Sequence, residues 1–153
     1  MNMPGPKLFL GNLLSVMIHQ QKGGIVGFDR KYLVWALSYA AIGMCLGIFM
    51  AASHNHAHRV THAHILLVGF VVSFIYGIIH KLWLGQPNPM VAKIQFVLHQ
   101  AGAVTMATGL LLLYGNILPE PQLDPILGIA SIAVLVGTLL MLYLVLKANA
   151  VKT

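Results

Sequence analysis

Residues 62–84 read HAHILLVGFVVSFIYGIIHKLWL, and this stretch decides the fold. Between His64 and Lys81 it carries no charged side chain. About 20 such residues wound as a helix cross the hydrocarbon core of a bilayer. A strand or loop facing lipid would leave its backbone polar groups unsatisfied over that length, so the segment is expected to span as an α-helix. Three further apolar runs, at 32–53, 92–115 and 125–147, share its character, and all four are 22 to 24 residues long.

The connections outward from this run are short and polar or broken. Residues 54–61 are polar, 85–90 contain Pro87 and Pro89, and 116–124 contain Pro119 and Pro121. Each reads as a turn between antiparallel helices. The expected architecture is an all-α, integral membrane four-helix bundle forming one transmembrane domain over 1–153. Residues 1–31 would form a lead-in, in which the apolar stretch 8–18 is too short to span and reads as a surface helix or flexible segment.

Composition excludes most other classes. The chain is 58% apolar and 8% charged, against about 25% charged in a soluble domain. A lone Cys45 within an apolar run rules out a disulfide framework and offers no pair for zinc or iron-sulfur ligation. The formal charge of +6 does not suggest nucleic acid, because the basic residues are scattered near the ends of apolar runs and never form a stripe. They read as topology signals. With a cytoplasmic N-terminus, Lys7, Lys22, Arg30, Lys31, Lys81, Lys93, Lys147 and Lys152 fall inside, and only Arg59 falls outside. Both termini are therefore expected in the cytoplasm, and the 54–64 segment at the outer face. In a bacterial inner membrane that is the periplasmic side.

That segment carries the chemistry. Of eight histidines, His54, His56, His58, His62 and His64 fall within eleven residues. Imidazole is the commonest side-chain metal ligand and enters a membrane edge at less cost than a carboxylate or ammonium. His54, His56 and His58 lie in the turn, where an interfacial histidine can simply meet water. His62 and His64 open a membrane helix and are the principal candidates. On a helix they point about 200° apart, so one compact ion does not suit the pair, but a planar macrocycle against either face does. Helical His54, His58 and His62 would share a face at i, i+4 spacing, which suits copper or zinc.

His99 belongs deeper in the membrane. Reflection of the third run through the turn near Pro87 sets it level with Tyr76, roughly 18 Å from the level of His64. One iron does not bridge that distance. His99 would instead pair with His80 to form a second cofactor-binding site, or serve as a core histidine bonded to a neighbouring helix. A haem at His64 would then take its second ligand from a symmetry-related copy, which predicts a homo-oligomer. Gly43 and Gly47, with Gly102, Ala103, Ala107 and Gly109, supply small-residue faces for tight packing or self-association.

The run Val60-Thr61-His62-Ala63-His64-Ile65-Leu66-Leu67-Val68-Gly69-Phe70-Val71, continuing to Ile75-Tyr76-Gly77, resembles the tenth helix of subunit I of the haem-copper oxidases, especially the c-type oxidase and nitric oxide reductase branch. Gln95-Phe96-Val97-Leu98 and Gly102 are similar to the helix that follows it, so the likeness covers about 45 residues. The resemblance implies high-spin haem ligation by His62 and low-spin haem ligation by His64. Where that family has twelve helices this chain has four apolar runs, and the family's copper-ligating histidines and crosslinked tyrosine have no counterpart in it. The chain looks like a small four-helix relative.

Two functions follow as expectations. The first is a b-type haem protein for electron transfer or small-molecule redox chemistry near the outer face, with Arg59 pairing a haem propionate. Its redox partner is not identified by any motif. The second is a membrane protein that binds or transports copper or zinc through the outer histidines. Met44, Met50, Met90 and Met106 form no repeated thioether path in support of the second.

Overall fold

Each apolar run forms a helix that begins a few residues before the apolar stretch itself. The computed structural model describes residues 27–85 and 87–148; the stretch 8–18 lies outside them. Helix α1 is Phe28–Ser53, α2 is Arg59–Leu82, α3 is Pro89–Tyr114 and α4 is Glu120–Lys147, and all four are long and apolar enough to cross a membrane. The chain is an integral membrane protein by this measure.

The early starts have local causes. At α3, Asn88 accepts hydrogen bonds from the backbone N–H groups of Met90 and Val91 at 3.0 and 3.3 Å, with Pro89 following it. A proline at that point loses nothing, because first-turn N–H groups have no helical partner. The same reasoning places Pro121 inside the first turn of α4 rather than in the preceding loop. Pro125, one turn further in, forgoes a single helical bond.

The turns share one device. His54, Gly85 and Asn116 each adopt a left-handed backbone, with φ of 51°, 55° and 53°. Gly takes this conformation freely and Asn tolerates it. His54 takes it as the residue that stops α1.

Helix α1 packs along α2, and α3 packs along α4, giving two hairpins joined mainly through α3. The glycines set the closeness of both pairs. A Cβ on Gly43 would stand 2.5 Å from Leu66 Cδ2, and one on Gly102 would stand 2.8 Å from Val134 Cγ2. Both small-residue faces are thus used inside the chain, Gly109 against Leu127 included. They serve tight packing within each hairpin.

One buried cluster joins Tyr32, Tyr76, Leu84, Ala92, Met141 and Leu144, and a second joins Tyr39, Ile65 and Ala103. Large apolar side chains remain exposed along every helix, such as Ile48 at 69%, Ile129 at 69% and Leu146 at 75%. Water is a poor solvent for such a surface, and a lipid bilayer is a good one.

Candidate functional site

Residues Ile65–Val71 of α2 wind as a π-helix, directly after the His-x-His pair. Wide turns of this kind concentrate at functional positions, because they change which side chains face inward. Here the wide turn separates two polar sites in α2, one at its start and one in its second half.

At the start, His62 turns toward α1. Its Nδ1 lies 2.9 Å from the Gly43 carbonyl oxygen and donates to it. The ring lies against Gly47, where a Cβ would meet His62 Cε1 at 3.0 Å. His64 turns the other way, and its Nδ1 donates to the Val60 carbonyl of its own helix at 2.9 Å. A carbonyl can only accept, so each ring carries its proton on Nδ1. In each ring the Nε2 lone pair is left over, and neither Nε2 is among the polar atoms sealed from solvent. An imidazole held through one nitrogen and free at the other is the arrangement found in metal-ligating histidines.

The other outer histidines do not join them. His54 ends α1, His58 precedes α2, and the intervening residues form a turn. The i, i+4 face expected of His54, His58 and His62 therefore does not form, because the helix it needs is broken at the left-handed His54. His58 packs beside the turn after α3, with Cε1 at 3.5 Å from a Cβ on Gly115. Among the described residues no three His, Cys, Asp or Glu side chains come together to hold an ion. Arg59 and His56 line an open hollow of about 530 Å3 with Asn55, Val60, Tyr114 and Asn116.

The second site lies in the other half of the bundle. His99 is fully buried, and its Nε2 is 3.2 Å from Ser73 Oγ on α2. Gln100 Nε2 donates to the same oxygen at 3.0 Å. Tyr32 OH donates to Gln95 Oε1 at 2.5 Å, and Tyr76 OH donates to Thr138 Oγ1 at 3.0 Å. The Tyr76 and His99 rings meet edge to face at 4.9 Å, which sets the two residues at one level as the turn near Pro87 predicts. His99 does not pair with His80. Tyr32 contacts both rings, at 6.2 Å from His99 and 5.6 Å from His80, while Ser73 occupies His99 Nε2. His99 is thus a core histidine bonded to a neighbouring helix through Ser73.

Gln95 Nε2, His99 Nδ1 and Gln100 Oε1 are buried without partners. Sequence reasoning had assigned no structural part to Tyr32, Ser73, Gln100 or Thr138. The signal available was the pair of amides, Gln95 and Gln100, inside an otherwise apolar run.

No family model, curated protein or solved structure matches this chain.

Proposed function

We propose that the protein is a b-type haem-binding membrane protein, related to subunit I of the haem-copper oxidases, that serves electron transfer or small-molecule redox chemistry near one membrane face. The observation that carries this reading is the state of His62 and His64. Both rings are anchored through Nδ1 on backbone carbonyls and keep a reachable Nε2. Backbone anchoring fixes the tautomer and the ring plane before a ligand arrives, and it strengthens the free nitrogen as a donor. A bound b haem would supply the one-electron iron couple, and the protein tunes such a couple through its axial ligands and surrounding dielectric.

The chain's own residues have distinct parts in this reading. His62 offers Nε2 beside α1, and His64 offers Nε2 on the opposite side of α2. Arg59, at the edge of the outer hollow, suits a propionate. The apolar side chains that follow His64 exclude water from the macrocycle. His62 Nε2 lies on the α1 side of α2 and does not serve the same iron as His64, so a second histidine for a haem at His64 would come from another copy, across a two-fold interface that presents the same helix start from both sides.

The basic residues support an orientation with both termini in the cytoplasm and the histidine pair on the periplasmic side of a bacterial inner membrane. The test is a visible spectrum of the purified protein. A Soret band with sharp reduced bands, lost in His64→Ala and kept in His99→Ala, is the expected result. A colourless protein, or haem that survives removal of both His62 and His64, ends the proposal. A monomer that still shows a bis-histidine spectrum removes the shared-ligand part alone.

A further inference from the structure

A cleft of about 330 Å3 opens between α1 and α2 at the end of the bundle opposite the His-x-His pair. Leu33, Phe74 and Ile78 form its walls, and at its floor Gly77 packs α2 closely on α1, where a Cβ would stand 3.3 Å from the Asp29 carbonyl oxygen. Its mouth is built differently, from Asp29, Arg30 and Lys81. Phe74 lies seven residues from Lys81, so the cleft extends about 10 Å along the helix axis, from charged groups at the membrane surface into the apolar zone. This is the polarity of a phospholipid, with headgroup at the surface and acyl chain below.

The charge at the mouth selects among headgroups. Lys81 Nζ approaches Asp29 at 3.8 Å, with its side chain 72% exposed, so the pair is loose and hydrated. Arg30 makes no ion pair among the described residues. Two cations and one carboxylate leave one positive charge at the mouth, which complements a phosphodiester with one net negative charge. A guanidinium binds two phosphate oxygens at once through its planar fork. Basic clefts between membrane helices are recurrent sites for anionic headgroups. We infer that this cleft binds one anionic phospholipid of the phosphatidylglycerol type, with its phosphate on Arg30 and an acyl chain over Gly77.

The inference does not depend on haem. Its test reconstitutes the full-length protein into nanodiscs of mixed phosphatidylglycerol and phosphatidylcholine, then identifies the lipid retained in detergent by native mass spectrometry. Wild type is expected to retain phosphatidylglycerol preferentially. Arg30→Gln should lower that preference about fivefold, the effect of one basic side chain near an anionic headgroup. Ile78→Trp, which fills the cleft, should abolish retention of either lipid, whereas Lys93→Gln, a basic residue outside the cleft, should change nothing. Equal retention of the two lipids overturns the inference, as does an equal effect of Lys93→Gln and Arg30→Gln. A photoreactive residue at position 78 should label phospholipid. Labelling of residues 1–26 of the same chain would show that a protein segment fills the cleft, and would likewise overturn it.

Discussion

His62 Nδ1 donates to the carbonyl of Gly43 across the α1–α2 interface at 2.9 Å, and this one bond fixes which nitrogen of the ring is free. Gly43 can accept because α2 lies close to α1, and α2 lies close because Gly43 carries no side chain in the path of Leu66. The histidine's chemistry and the helix packing are therefore one construction.

Gly47 offers the sharpest test of it. In Gly47→Ala the new methyl would meet His62 Cε1 at 3.0 Å and nothing else closer, so the ring must move while the hairpin stays. On the proposed haem-binding function, the expected outcome is haem occupancy reduced several-fold with an unchanged helical circular-dichroism signal. Gly43→Ala should act in the opposite manner, because its methyl meets Leu66 at 2.5 Å and destabilises the hairpin itself.

His54 separates a turn residue from a ligand. Its φ of 51° favours glycine over any β-branched residue. His54→Gly should therefore preserve or raise stability and, on the proposed function, leave a haem spectrum unchanged, whereas His54→Val should cost about 1–2 kcal/mol in an unfolding titration in mixed micelles. Loss of colour in His54→Gly would show that this imidazole is a ligand after all.

Tyr32→Phe keeps the ring, with its edge-to-face contact on Phe96 at 4.8 Å, and removes only the hydroxyl. Gln95, fully buried with Nε2 already unpartnered, then loses its remaining side-chain bond. A destabilisation of about 1 kcal/mol is expected from the unsatisfied amide. Gln95→Leu added to Tyr32→Phe should recover most of it, because two apolar groups leave no donor or acceptor stranded.

The α3–α4 hairpin has its own internal control. A methyl at Gly102 would meet Val134 Cγ2 at 2.8 Å and the Ala130 carbonyl at 3.0 Å, while one at Gly128 meets nothing within 4 Å. Gly102→Ala should destabilise by roughly 1–3 kcal/mol. Gly128→Ala, in the same hairpin, should be neutral or stabilising by up to about 1 kcal/mol, since alanine favours helix over glycine. Thermal unfolding of both variants under one set of conditions checks the contrast.

The membrane spans were legible because hydrocarbon imposes a length and forbids an unpaired backbone, so four apolar runs charged only near their ends leave one secondary structure open to them. Helix starts were less legible. Hydropathy ends where the first polar residue begins, whereas a helix begins where a cap such as Asn88 can bond the first N–H groups. The level of His99 beside Tyr76 also followed from residue counting, because rise per residue and a short turn set depth.

From the sequence alone come the four helical spans, the level of His99 beside Tyr76 and the opposed directions of His62 and His64, all consequences of helix repeat and rise per residue. Only the tertiary structure decided which nitrogen each ring leaves free, that Ser73 and Gln100 enclose His99, and that the glycine faces close each hairpin from within. Those outcomes depend on groups from different helices meeting within hydrogen-bond distance. A left-handed His54 and a π-helical turn at Ile65–Val71 likewise belong to the packed chain, since both change the phase of a helix in ways that no periodicity announces.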